Sequence, residues 1–219
     1  MKKLSELLTA IGFRFEEGDD LDAIVSGISC NSKEVVENNL FVAVPCDGVA
    51  QHIKEAYESG AKFFIVDEDS LKAAENLSDD IYIFVSTNVR QTLSLLAAAF
   101  YKNTPKYLAA VTGTNGKSSV VSLLRQIWQI SGVEAASLGT VGLERSFGFD
   151  KGISLPSLTS LDPLTFFKTL NYLQGEKVQA LSFEASSHGL TQCRMDGAPL
   201  NVAAFTNLTL EHLDYHHTM

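Results

Sequence analysis

Gly116-Lys117-Ser118 stands where a short loop opens into a helix, inside the stretch VTGTNGKSSVVSLL from Val111 to Leu124. These three residue types serve one chemistry together. Glycine lets backbone amides turn toward an anion. The lysine ammonium neutralises phosphate oxygens, and the hydroxyl beside it can ligate Mg²⁺. The helix that follows would aim its positive end at the same anion. The strict phosphate-loop pattern asks for a glycine where this chain has Val111. The upstream glycine is Gly113, so Thr112, Gly113 and Thr114 supply the turn in a variant loop. The plain alternative is a chance G-K-S at a helix start. A hydrophobic strand before and an amphipathic helix after favour the phosphate reading.

A nucleotide-dependent site also needs an acidic residue at the end of a neighbouring strand to hold Mg²⁺. ALSFEASSHGL supplies Glu184 at the end of an apolar strand. A carboxylate at the carboxyl end of a parallel strand faces the ligand crevice. The other reading is a capping carboxylate near the next helix. Further on, FTNLTLEHLDYHH gathers Asn207, Glu211, His212, Asp214, His216 and His217. Asn207 is expected at a strand end near the nucleotide, with His212 beside the metal or the phosphates. His212 and His216 would share one face of a helix, which raises a zinc alternative without a third suitably spaced ligand. A solvated polar loop is the bland alternative.

The elements that must position these residues alternate. Leu4, Leu7, Leu8 and Ile11 fall at helical spacing. Strands are expected over Ile24–Cys30, Leu40–Val44, Lys62–Val66 and Ile81–Val85, with helices over Ile53–Ser59 and Leu71–Asn76. Arg90–Tyr101 reads as a helix rich in Leu and Ala, stopped by KNTP. The pattern restarts with a strand Tyr107–Val111, a helix Lys117–Ile130, a strand Ala135–Leu138 and an irregular stretch Gly148–Ser160. A helix Pro163–Leu173 and strands Val178–Ala185 and Asn201–Asn207 follow. Alternating strands and helices imply an α/β chain. Two domains are expected: a small N-terminal α/β domain of residues 1–88, and a mononucleotide-binding α/β domain with a largely parallel sheet from residue 89 to 219.

Bulk properties narrow the partners. The 219 residues carry a net charge of −9, which speaks against nucleic acid, since phosphate backbones need a basic face. Cys30, Cys46 and Cys193 form no C-x-x-C and fit a reducing, cytoplasmic setting. No apolar run reaches the roughly 18 residues that cross a bilayer, so no membrane partner is expected. EHLDYHHTM supplies no closing strand or helix, and the chain reads as a fragment of a longer protein.

Three stretches, TGTNGKSS, FEASSHGLTQCR and FTNLTLEHLDYHHTM, resemble the Mur ligases. The likeness is to the MurE group, which adds the third amino acid to UDP-N-acetylmuramoyl-L-Ala-D-Glu. The family's own phosphate loop has this glycine spacing. ISCNSKEVVENNLFVAV is similar to the group's uridine-binding segment, so the first domain would bind UDP. The resemblance implies ATP-dependent amide ligation. ATP phosphorylates the D-Glu carboxylate, and the amine of a diamino acid, meso-diaminopimelate or L-lysine, attacks the acyl phosphate. On this pattern Gly113, Thr114, Asn115, Gly116, Lys117, Ser118, Ser119 and Asn207 would surround ATP, with Lys117 on the γ-phosphate. Ser118 and Glu184 would hold Mg²⁺, with His212 near a second Mg²⁺. Lys117, Glu184 and His212 are the expected catalytic residues. Ser32, Asp47, Gly48 and Val49 would contact the UDP moiety. Thr159, Ser160, Ser186, Gln192 and Arg194 would bind the muramoyl-peptide, Arg194 by bidentate pairing to a carboxylate.

Departures from the family pattern are Asn31-Ser32-Lys33 in place of Asp-Ser-Arg, Ala50-Gln51 in place of Asp-Gly, and Thr159-Ser160-Leu161-Asp162 in place of T-T-P-D. The family's carbamylated lysine and third domain would lie beyond Met219, so the chain alone is expected to show no ligase activity. It is expected to be a monomer. Another Mur-type or folylpolyglutamate-type ligase, and a non-catalytic module binding UDP or ATP, are the alternatives. A generic phosphate-loop kinase leaves the first domain without a purpose.

Overall fold

A computed structural model describes residues 1–13, 21–78, 80–145, 148–150 and 152–218. It divides into two compact units, Met1–Phe100 and Tyr101–Met219.

In the first unit β1 (Lys2–Lys3) leads into α1 (Leu4–Ala10), which buries Leu4, Leu7 and Leu8, and pairs antiparallel with β2 (Ile24–Val25). A four-stranded parallel sheet follows in chain order: β3 (Gly27–Ser29), β4 (Asn39–Val42), β5 (Phe63–Val66) and β6 (Tyr82–Val85). The crossovers carry α2 (Val49–Glu58) and α3 (Glu68–Glu75). Strands β4 and β5 are buried at every position, as parallel strands covered on both faces must be. Phe41 and Phe64 meet edge to face, with ring centroids 6.1 Å apart. Asp67 caps α3 by accepting from Ser70 N–H, the usual work of an aspartate at that place.

α4 (Val89–Phe100) closes this unit. The sequence reading put that helix in the second domain, with a boundary near residue 88. The compact units instead meet at Phe100 and Tyr101. α4 packs on α1, and its buried residues Val89, Leu93, Leu96 and Ala97 account for that grouping.

The second unit runs β7 (Tyr107–Thr112), α5 (Lys117–Ile130), β8 (Ala135–Gly139), β9 (Gly142–Arg145), β10 (Gly148–Phe149), α6 (Pro163–Gly175), β11 (Ala180–Glu184), α7 (Ser187–Thr191), β12 (Val202–Phe205) and α8 (Leu213–His216). Its sheet has the order β10-β9-β8-β11-β7-β12. β8, β11, β7 and β12 are mutually parallel, so their carboxyl ends reach one edge together. Register fixes who meets whom there: Glu184 stands opposite Val111, and Phe205 opposite Thr112. Behind that edge Phe166 packs on Phe167 and Phe183. The buried Ser182 hydroxyl donates to Val121 O at 2.7 Å and pins β11 to α5.

Two features depart from the sequence reading. β8 and β9 form a tight antiparallel hairpin, with Gly139 paired to Gly142 across Thr140 and Val141. β10 then occupies the start of the stretch expected to be irregular. Arg145 holds this hairpin through Asp150 at 3.3 Å, Glu176 at 3.3 Å and Glu134 at 3.5 Å. The second departure is α8, a single helical turn where no element was expected.

Candidate active site

The gathered strand ends open onto a cavity of about 820 Å³ lined from Thr112 to Ser118, from Thr140, Thr159, Glu184 and Ser186, and from the 205–218 segment. The phosphate-loop residues lie at one end. Gly116 is the N-cap of α5 with φ 87 and no side-chain cap bond, so the first amides of the helix are free to meet an anion. Lys117 Nζ donates to Gly113 O at 2.7 Å and to Thr114 O at 2.9 Å. Its ammonium therefore lies folded over its own loop. Ser118 lines the cavity, and Ser119 is exposed outside that lining.

The loop is braced by the chain that follows β12. Asn207 Oδ1 accepts from Asn115 N–H at 3.0 Å, and its Nδ2 donates to Asn115 O at 3.1 Å. Thr114 N–H donates to Asn207 O at 2.9 Å. Thr206 Oγ1 donates to Asn115 O at 2.7 Å. Thr209 N–H donates to Thr114 Oγ1 at 3.0 Å. Asn207 thus grips the loop's peptide with both ends of its amide. Gly113 explains the loop's odd glycine: its φ is 122, and a Cβ there would run into Thr206 Oγ1 and come within 2.8 Å of Asn207 O.

Glu184 ends β11 at 3% exposure. Its Oε1 accepts from Thr140 N–H at 3.0 Å, and its Oε2 lies 3.3 Å from Thr140 Oγ1. Thr140 Oγ1 in turn lies 2.9 Å from Thr159 Oγ1. Gly139 makes room for this carboxylate: a Cβ there would overlap Glu184 Oε1 and stand 2.5 Å from its Cδ. The capping alternative for Glu184 is not what the geometry contains, because Ser186 caps α7 by accepting from Gly189 N–H at 3.1 Å. Ser118 and Glu184 offer a hydroxyl and a carboxylate to one cavity. Hard oxygen donors of this kind suit Mg²⁺, and the imidazole of His212 is the member less suited to it.

The expected peptide-binding residues divide. Thr159 and Ser186 line the cavity. Ser160 is buried and works as a brace: its hydroxyl donates to Glu184 O at 3.1 Å and accepts from Ser186 N–H at 2.8 Å. Arg194 donates to Ser160 O at 2.6 Å and to Gln192 Oε1 at 2.9 Å. Gln192 also donates to Tyr215 OH at 3.3 Å. Arg194 and Gln192 therefore hold each other and the Ser160 corner. Asp162, from the altered T-T-P-D stretch, caps α6 by accepting from Thr165 N–H at 3.0 Å.

Four rings form a second cluster, of which His212 and His216 line the cavity. His188 meets Tyr215 at 4.1 Å, His212 at 4.7 Å and His216 at 5.5 Å between centroids. Burial, followed by the facing His212 and His216, holds the His188 imidazole below its ordinary range, against the opposing pull of Asp214. His212 does not share a helix face with His216. It precedes α8 as the N-cap, with φ 56, and the helix it caps is one turn long. Among the described residues no three His, Cys, Asp or Glu side chains are grouped as a metal site.

The uridine-segment residues lie in the first unit. Ser32 is buried, and its hydroxyl donates to Glu55 Oε2 at 2.7 Å. That bond, then one from Gln51, holds the Glu55 carboxyl below its ordinary range. Gly48, at φ 80, is the N-cap of α2, followed by Val49 as its first residue. Asp47 and Gly48 are exposed. Asn31 caps the short turn Ser32–Glu34 by accepting from Lys33 N–H.

Sequence reasoning missed Gly139 and Thr140, and the bracing threonines 206 and 209. Gly139 and Gly142 flanking two residues after a strand was the available hairpin signal. Nothing in the local sequence announced the bracing, which depends on β12 lying beside β7.

A phosphate loop after a parallel strand, with an acidic residue ending the neighbouring strand of the sheet, defines the mononucleotide-binding class of α/β unit. Residues 111–219 match the Mur ligase middle domain. A UDP-N-acetylmuramoyl-L-alanyl-D-glutamate--2,6-diaminopimelate ligase from Rickettsia felis is 43% identical over 197 residues, covering 89% of this chain and 36% of the relative. A solved structure of a ligase of that name superposes with a TM-score of 0.78 at 24% identity, over 97% of this chain and 42% of its own. The MurF ligase of Thermotoga maritima in complex with ADP superposes with a TM-score of 0.52 at 21% identity, over 89% of this chain and 40% of its own. The chain belongs to the Mur ligase family, and it spans about two fifths of the length of the curated relatives it matches.

Proposed function

We propose that this chain carries the nucleotide-precursor and ATP sites of a ligase that extends UDP-N-acetylmuramoyl-L-Ala-D-Glu by a diamino acid, meso-diaminopimelate or L-lysine, in the cytoplasm. One observation supports the reading above the others: Lys117, Ser118, Glu184 and Thr159 line one cavity in a chain with 43% identity to a ligase of that description.

A carboxylate is a poor acyl donor, and phosphorylation turns one of its oxygens into a leaving group. The protein's work is then to place the reactants and offset charge. The first amides of α5 and the Lys117 ammonium would meet the β- and γ-phosphates. Ser118 and Glu184 would hold Mg²⁺, which when bound offsets phosphate charge. His212 would stand near a second Mg²⁺. Asn207 keeps the loop in shape and would lie near the nucleotide. Thr159 and Ser186 would face the peptide part of the precursor, with Ser160, Gln192 and Arg194 fixing the corner they stand on. In the first unit Ser32, Asp47, Gly48 and Val49 would receive UDP.

Calorimetric titration of the 219-residue chain with ADP plus Mg²⁺, and separately with UDP, tests this. Lys117→Ala is expected to abolish the first heat and leave the second. A wild-type chain that binds neither nucleotide, or ADP binding indifferent to Lys117→Ala, would overturn the reading.

A further inference from the structure

We infer that Thr140 is the positioning residue for the metal-holding carboxylate, and that it fixes the hydrogen-bond polarity of the neighbouring substrate subsite. The inference rests on the functional reading above.

The Thr140 N–H donates to Glu184 Oε1 at 3.0 Å, and its hydroxyl oxygen lies 3.3 Å from Oε2. One residue at the hairpin corner therefore touches both carboxylate oxygens. An ionised carboxylate only accepts, so the single hydroxyl proton of Thr140 points at Glu184. The contact between Thr140 Oγ1 and Thr159 Oγ1 at 2.9 Å must then take its proton from Thr159. The Glu184 contact favours one order: Thr159 donates to Thr140, and Thr140 donates to Glu184. Thr159 is left with acceptor lone pairs toward the cavity. It suits an N–H or O–H of the precursor, such as a peptide amide, and not a carboxylate.

The setting keeps Thr140 in place. It follows Gly139, whose missing Cβ admits the Glu184 carboxylate. The pairing of Gly139 with Gly142 closes the turn. Orienting partners of metal ligands typically shift metal affinity by about ten- to a hundredfold when removed.

The experiment measures ADP binding to the full chain by calorimetry over a Mg²⁺ series and in EDTA, with thermal melting of each variant. Thr140→Val keeps the shape and deletes the hydroxyl. It is expected to raise the Mg²⁺ concentration for half-maximal enhancement of ADP binding about tenfold, with ADP binding in EDTA unchanged. Thr140→Ser is expected to restore the wild-type Mg²⁺ dependence. If Thr140→Val does not fold, Thr140→Ala takes its place in the same comparison. Thr140→Val with wild-type Mg²⁺ dependence, while Glu184→Gln loses it, overturns the inference and leaves the functional reading standing. So does equal weakening with and without Mg²⁺, the mark of a merely structural role. A wild-type chain whose ADP binding ignores Mg²⁺ removes the functional reading itself, and the inference with it.

Discussion

At the phosphate-loop end of the cavity, residues 112–115 meet hydrogen-bond partners on residues 206–209, most of them main chain to main chain or side chain to main chain. At the histidine end, His188, His212, Tyr215 and His216 meet ring to ring. Hydrogen bonds set distance and direction closely, whereas ring pairs tolerate a range of offsets and tilts. The first end is held by hydrogen bonds within its own chain. The second is shaped for contact, and among the described residues His216 Nε2 is buried without a hydrogen-bond partner. Substitutions at the two ends should therefore differ in size and even in sign.

The largest effect is expected at Gly113. Gly113→Ala combines a φ of 122 with overlap onto Thr206 Oγ1 and Asn207 O, so the loop or β12 must move. A loss of at least about 3 kcal/mol in unfolding free energy is expected, with loss of ADP binding. Gly116→Ala is the control: its φ is 87, but a Cβ there meets nothing within 4 Å. It should cost about 1–2 kcal/mol, the left-handed backbone penalty alone. Chemical denaturation of both variants checks the pair, and equal losses would mean that the bracing is not what makes Gly113 necessary.

Asn207→Ala comes next. It removes two hydrogen bonds to the Asn115 peptide at an exposed position, for an expected loss of about 1–2 kcal/mol. Because the loop loosens, ADP affinity should fall more than the melting temperature suggests. Unchanged ADP affinity in a folded Asn207→Ala protein would show that the loop holds its shape unaided.

The same contrast explains what could be read from the sequence. The helix near Lys117–Ile130 was legible, because the loop glycine precedes it and its residues are amphipathic. Glu184 was legible because an apolar strand stops at a carboxylate. These are local signals. Asn207 was picked out as a site residue, but its grip on Asn115 was not visible, since that follows from β12 lying beside β7 some 92 positions along the chain. Thr140 was missed for a similar reason: its value lies in facing Glu184, 44 positions away. The α4 assignment failed because nothing in a Leu- and Ala-rich helix says which neighbour will cover it. Its partner α1 lies at the other end of the unit.

The histidine end should respond in the opposite direction to a well-chosen change. His216→Phe keeps an aromatic ring against Tyr215, whose centroid is 4.9 Å away, and deletes the unpartnered Nε2. Burying a polar atom without a partner costs free energy. Unfolding stability is therefore expected to hold or rise by up to about 1 kcal/mol. A clear loss on thermal melting would mean that His216 makes a bond that matters for folding.

The smallest effect is a pH dependence that belongs to the histidine end alone. Burial, then His212 and His216, hold the folded His188 below its ordinary value of 6.5. The unfolded chain then binds more protons than the folded chain as the pH falls below 6.5. Stability from this group is fully present above 6.5 and is lost as the pH drops through the lower folded value. Melting temperatures taken between about pH 8 and pH 5 should therefore fall on the acid side, and His188→Phe should flatten that fall while removing no hydrogen bond from the phosphate loop. The comparison between the two ends is sharpened further by Lys117→Ala, which should shift the whole melting curve without changing its acid slope. If His188→Phe and wild type lose stability in parallel on acidification, the ring cluster is not the source of the pH response. The acid slope between about pH 8 and pH 5 must then come from another titrating group, and Asp150 is not that group. Burial raises the Asp150 carboxyl, but Gly152 N–H, Tyr172 and Arg145 outweigh that and hold it below its ordinary range, so its contribution would be lost only below about pH 4.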